Sequence, residues 1–248
     1  MRWRRLWWVL VLALVVGSAE AVEYRVVEHL GKKHTVCTVD PARERLELFL
    51  KDDRGAVLHT FAAVEARLGG QGKRLIFGMN AGMFHANSEP VGLLVVDGRE
   101  IAPLNTAQAC GNFFLKPNGV FAVTDAGAVV VEAAGWPAVG GKVRLATQSG
   151  PMLVIEGALH PAFRAESVSR LFRNGVGIGP DRKVLFVISN EPVNFHEFAT
   201  LFRDALRCRN ALFLDGTLSS LHALELKRSD YKMPLGPILG VTAGKPNP

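Results

Sequence analysis

The chain has 248 residues, 48% hydrophobic and 21% charged, with a formal net charge of +6. This composition excludes a fibre or a disordered tail, and no Ser/Pro-rich or charge-block linker divides the chain, so it reads as one globular body. Its cations stand in ones and twos, as at Lys32 and Lys33 or Lys227 and Arg228. The clustered basic stripe with interleaved aromatics expected of a nucleic-acid surface is missing.

In chain order, residues 1–21 read as a secretory signal. Arg2, Arg4 and Arg5 precede an apolar run from Leu6 to Val16, and Ala19-Glu20-Ala21 follows as an A-x-A cleavage pattern. The run is too short to cross a hydrocarbon core of about 30 Å, and no later segment approaches roughly 18 uninterrupted apolar residues. The expectation is an exported protein, periplasmic or secreted, without a stable membrane span after cleavage, whose residues 22–248 form one domain. An uncleaved anchor is the alternative if Trp7 and Trp8 extend the span backward.

Short β-type runs follow at Tyr24 to Val27, Val36 to Val39 and Leu46 to Leu50, separated by turn clusters such as Gly31-Lys32-Lys33. A helix from Phe61 to Leu68 stops at Gly69-Gly70. Strands are then expected at Leu75 to Met79, Val91 to Val96, Phe113 to Leu115, Val120 to Val123, Ala128 to Val131, Val143 to Ala146 and Met152 to Ile155. The clearest helix runs from Asn194 to about Arg207, because Phe195, Phe198, Ala199, Phe202, Ala205 and Leu206 recur on one face and Asn194 with Glu197 forms a cap signature. Strands Val184 to Ile188 and Ala211 to Leu214 flank it as a β-α-β unit that delivers Asp215 at its carboxyl end, where ligands tend to bind. The fold class expected is α+β: a single domain with a mixed, largely antiparallel β-sheet core and few helices.

Several motifs fail on their own chemistry. His196-Glu197-Phe198-Ala199-Thr200 lacks the second imidazole of HExxH, and no histidine spacing demands a metal. Gly175-Val176-Gly177-Ile178-Gly179 runs into Pro180-Asp181 instead of the helix start that would meet a pyrophosphate, so no dinucleotide cofactor is expected, nor any other. Cys37, Cys110 and Cys208 are too few for a disulfide framework; two could pair in an oxidising compartment, or all three could be buried thiols.

Four segments remain, each placing small residues beside polar ones after an apolar run: 78–84, 147–151, 173–179 and 214–220. Glycine lets backbone approach a ligand closely. The four could build one pocket, or each could be only a turn.

In this order the segments spell Asn-x-Gly-x-Phe, Ser-Gly-Pro-x-Leu, Arg-x-x-x-Gly-Ile and Leu-Asp-Gly-x-x-Ser-Ser, with an amphipathic helix before the last. This set, from about Arg74 to about Leu224, resembles the phosphodiester glycosidase family, and the stretch from Asn112 to Phe121 looks like its bacterial exported branch. Thr217 and Leu218 replace two glycines of the family's usual Asp-Gly-Gly-Gly-Ser-Ser. The resemblance implies hydrolysis of a sugar 1-phosphodiester or related glycoconjugate at the anomeric carbon. A non-catalytic protein that binds carbohydrate or envelope polysaccharide is the alternative.

A phosphate monoester is already a good leaving group, so one carboxylate and a phosphate clamp could suffice where ordinary glycoside hydrolysis uses two carboxylates. Asp215 is the candidate carboxylate. Arg173 is the candidate clamp, because a guanidinium meets phosphate through two parallel hydrogen bonds. Asn80, Gly82, Gln148, Ser149, Gly150, Asn174, Gly216 and Ser219 are the candidate substrate-binding residues, and Glu191 is a possible second carboxylate.

Overall fold

The computed structural model describes residues 22–245, so the expected signal at 1–21 lies outside them. Glu23–His29 (β1) and Lys32–Val39 (β2) fold back on each other across Leu30 and Gly31, both with positive φ, the backbone that a tight hairpin turn requires. Leu46–Phe49 (β3) is followed by a helix, Phe61–Gly69 (α1), and by Lys73–Asn80 (β4). Next come Leu94–Val96 (β5), Arg99–Ala102 (β6), Gly119–Thr124 (β7), Gly127–Glu132 (β8) and Val143–Ser149 (β9). Met152–Ile155 (β10), Ala158–Leu159 (β11), Asn174–Ile178 (β12) and Val184–Ser189 (β13) lead to a second helix, Phe195–Thr200 (α2). Ala211–Asp215 (β14), Leu221–Ala223 (β15), Arg228–Ser229 (β16) and Ile238–Gly244 (β17) complete the order.

These strands form three sheets: β1-β2-β13-β12-β14-β10-β11, β16-β15-β4-β17-β3 and β6-β5-β9-β7-β8. Every pairing between the described strands is antiparallel. The inner faces of all three meet in one core, where Phe77 and Met79 of β4, Phe121 of β7 and Val176, Phe186 and Leu214 of the seven-stranded sheet are fully buried. A fold of this kind is α+β and single-domain, as the composition and strand pattern imply.

Each helix covers a sheet. In α1 the Thr60 hydroxyl accepts from the Ala63 N–H, and Phe61, Val64 and Leu68, spaced on one face, bury against Leu75 of β4 and Ile238 of β17. In α2 the predicted cap is a full capping box: Glu197 N–H donates to the Asn194 side chain, and Asn194 N–H to the Glu197 carboxylate. Phe198 and Phe202 pack on Val36, Val187 and Phe213. The expected continuous helix to Arg207 is instead α-helical only to Thr200 and π-wound from Leu201 to Ala205.

Two further differences concern the site. Asn112–Phe114 is a turn of 3-10 helix where a strand is expected, because Gly111 takes φ +105° and Phe113 alone turns inward. Residues 174–178 form strand β12 where the glycines suggest only a polar corner. The glycines are there for packing: a Cβ on Gly175 would lie 2.8 Å from the Leu212 carbonyl oxygen, and one on Gly177 2.7 Å from Cys208 Sγ.

Candidate active site

The ends of strands from all three sheets converge at one point. β4 ends at Asn80, β9 at Ser149 and β14 at Asp215, while β12 begins at Asn174, whose Cα partner is Asp215. Buried polar side chains tie the sheets together there. Asn174 Nδ2 donates to Asn80 Oδ1 at 2.8 Å, and Asn80 Oδ1 also accepts from Ser220 N–H at 2.9 Å. Asn174 Oδ1 accepts from Asp215 N–H at 2.9 Å. Ser149 Oγ donates to the Leu214 carbonyl at 2.9 Å, and Thr147 Oγ1 to that of Ala81 at 2.7 Å. Gly82 passes against β9 with φ +150°, where a Cβ would stand 3.0 Å from Thr147 Oγ1.

Asp215 sits at the centre of this junction. It is 9% exposed, and Oδ1 accepts the Gly216 N–H at 2.5 Å. Burial pushes its carboxyl up to about 6, although backbone N–H groups of Gly216 and Leu218 pull the other way. Ser219 Oγ lies within 2.9–3.3 Å of the Gly216, Asp215 and Phe172 carbonyl oxygens and fixes the turn that follows. Among these side chains one donor is unspent: Asn80, 1% exposed, has no acceptor for its Nδ2 among the described residues.

Asp215 and Leu218 open onto a cleft of about 430 Å³. Met83, Phe84 and His85, directly after the Asn80-Ala81-Gly82 corner, form one wall, and Cys110, Phe113 and Phe114 form the other. Gly150 seats that second wall, because a Cβ there would come within 2.6 Å of Asn118 Cβ and 2.8 Å of the Phe113 carbonyl. Asp215 is the only carboxylate among the described residues that line the cleft. None of these wall residues is among the candidate site residues read from sequence, although Met83 and Phe84 close the 78–84 segment and Phe113 and Phe114 fall in the 112–121 stretch. A second cavity, about 400 Å³, lies where Arg45 and Asp97 pair at 3.2 Å, and none of the corner residues named above lines it.

Three candidates stand elsewhere than the sequence reading supposes. Arg173, one residue before Asn174, is 1% exposed and does not line the cleft. Its guanidinium lies 3.7 Å over the Phe195 ring, donates to the carbonyls of Val193 and Ser169, and leaves Nη1 without an acceptor among the described residues. It stands just before β12, and its side chain packs on Phe195 of α2. Burial pushes it down to about 10, with no carboxylate among the described residues paired to it. Gln148 has its amide engaged by backbone: Oε1 accepts from Leu93 and Asn105 N–H, and Nε2 donates to the Asn105 carbonyl, so it clasps a loop instead of facing a ligand. Glu191 is at the surface, held by the Lys33 N–H and the Lys32 ammonium, which draw its carboxyl below the usual range. Cys37 and Cys208 are buried, Cys110 is exposed, and all three are unpaired.

The comparisons agree with this architecture. The family model described as phosphodiester glycosidase matches residues 73–241. An uncharacterized protein of Escherichia coli, YigE, is 32% identical over 185 residues, 75% of this chain and 72% of that protein. The catalytic domain of zebrafish N-acetylglucosamine-1-phosphodiester alpha-N-acetylglucosaminidase superposes with a TM-score of 0.66 at 13% identity, covering 90% of this chain and 84% of that one. A Burkholderia pseudomallei protein superposes with a TM-score of 0.56 at 16% identity, over 85% of this chain and 74% of that one.

Proposed function

The chain belongs to the phosphodiester glycosidase family, and from that premise we propose that it is an exported hydrolase cleaving a sugar 1-phosphodiester at the anomeric carbon, with Asp215 as the reacting carboxylate. The observation that carries this reading is a buried carboxylate, its pKa lifted to about 6, that lines a cleft and stands where hydrogen bonds join four glycine-bearing corners. Groups shifted in this way cluster where chemistry is done.

The reaction breaks the bond between the anomeric carbon and the phosphate oxygen. The electron pair leaves with the phosphate monoester, and water supplies the new hydroxyl. Because that leaving group departs without strong acid assistance, one carboxylate covers the remaining need, which is to stabilise or attack the electron-poor carbon. Asp215 is ionised for this task above about pH 6. Asn80 frames the Asp215 turn by accepting from Asn174 Nδ2 and Ser220 N–H. Arg173 acts at a remove, holding Phe195 against Phe213. The signal pattern at residues 1–21 supports export.

The test is a product assay of the purified chain on a panel of sugar 1-phosphodiesters, nucleotide sugars included. Release of free sugar together with a phosphate monoester is expected. Saturable binding of polysaccharide fragments with no cleavage over long incubation would instead make the protein a carbohydrate-binding one.

A further inference from the structure

The turn that carries Asp215 is bordered by apolar side chains that the fold leaves uncovered. A Cβ on Gly216 would touch Leu171 Cδ1 at 3.6 Å, and Ser219 Oγ lies 3.3 Å from the Phe172 carbonyl oxygen, so the 171–172 segment flanks the carboxylate's own turn. Phe172 is 39% exposed, and Lys232 Nζ stands 4.5 Å over its ring. On either side of Lys232, Tyr231 is 71% and Met233 53% exposed. The same segment returns to the cleft three residues later, where Phe84 packs so closely on Gly236 that a Cβ would be 2.4 Å from its ring. Leu171 and Phe172 thus flank the Asp215 turn, Lys232 stands on Phe172, and Tyr231 and Met233 are its exposed chain neighbours in the segment that reaches the Phe84 wall at Gly236. Lys232 is exposed and takes part in none of the ion pairs among the described residues.

Water-soluble aglycones such as a second sugar offer hydroxyls, and Phe172, Tyr231 and Met233 have few polar groups to meet them. A phosphate ester with a hydrocarbon tail fits both the cation and these side chains, the ammonium meeting the phosphate and the uncovered side chains losing water against the tail. Building on the glycosidase reading, we propose that the substrate is a glycosyl phosphodiester whose second ester group is apolar, with Lys232 as the phosphate-binding cation and Phe172, Tyr231 and Met233 as the seat of the hydrocarbon. Lys232 thereby fills the clamp role that the buried Arg173 does not reach.

Two measurements test it. In the first, N-acetylglucosamine 1-(methyl phosphate) and 1-(octyl phosphate) are compared as substrates, with an expected kcat/KM at least about 10-fold higher for the octyl ester, mainly through KM. In the second, methyl phosphate and octyl phosphate, which lack the sugar, are titrated calorimetrically below the micelle concentration. Octyl phosphate is expected to bind about 10-fold tighter, that ratio is expected to fall to near 1 in Phe172→Ser and Tyr231→Ser, and Lys232→Gln is expected to weaken both ligands while keeping the ratio. Equal affinities, or a preference that survives both serine substitutions, would overturn the proposal. Tight, Phe172-dependent binding of octyl phosphate with neither diester hydrolysed would leave the apolar seat standing and overturn the glycosidase reading instead.

Discussion

Asp215, at the end of β14, and Arg173, one residue before β12 and next to Asp215's Cα partner Asn174, are two buried charges that the fold treats in opposite ways. The carboxylate stands at a strand end where three sheets meet, has two backbone N–H groups aimed at it, and opens onto a cleft. The guanidinium is closed in behind Phe195 and Phe213 and reaches only carbonyls. Both pay for leaving water, since each is shifted toward its neutral form by burial. Only Asp215 has an exit. Burial with an opening is a signature of chemistry, while burial without one is a feature of packing.

Asp215→Asn, which keeps the shape and an acceptor for Gly216 N–H, has the largest expected effect. Turnover should fall at least about 100-fold. Stability at pH 7 should rise, by on the order of 1–3 kcal/mol, because a carboxyl near 6 in the folded chain and near 3.9 in the unfolded one opposes folding once ionised. The sign is distinctive: this group's contribution falls as pH rises from about 4 to about 6 and stays low above, so loss of activity in acid is not loss of the fold. Urea melts at pH 5 and pH 7 check it.

Asn80→Asp comes next. It retains the acceptor for Asn174 Nδ2 and Ser220 N–H while placing a second negative charge in the junction. The activity limb of Asp215 should move upward, and kcat/KM at pH 7 should drop about 10-fold, as a like charge disfavours the ionised form. Arg173→Met has the smallest expected effect. A side chain of similar length against Phe195 should hold kcat/KM within about threefold, whereas Arg173→Ala, which empties the niche, should cost about 2–4 kcal/mol in a denaturant melt. A 100-fold loss of kcat in Arg173→Met with an intact fold would return the phosphate clamp to position 173.

Much of the junction was legible in the sequence because its parts are local. Asn80, Ser149, Asn174 and Asp215 each follow or open a run that reads as a strand or a corner, and the strand ahead of Asp215 is marked by the capped helix before it. What could not be read is what depends on partners far along the chain. The guanidinium of Arg173 is hidden by Phe195 and Phe213, residues that sequence periodicity assigns to a helix face and a strand without saying what they cover. Gln148 reads as a ligand donor until Leu93 and Asn105 take up its amide. Strand β17 escapes detection because Gly240 and Gly244 dilute its pattern, although Gly240 is required: a Cβ there would stand 2.7 Å from Leu75 Cδ1.

The central claim is that the Asp215 carboxylate titrates near 6 and that its ionised form performs the reaction. Carbon-13 NMR of the chain labelled at aspartate carboxyls, with the Asp215 signal assigned by its disappearance in Asp215→Asn, measures that ionisation directly and can be laid over the pH dependence of kcat/KM for sugar phosphodiester hydrolysis. Coincident midpoints near pH 6, with activity falling about tenfold per pH unit below, are the predicted result. A midpoint near 4, or activity that stays level from pH 7 to pH 5, would contradict it.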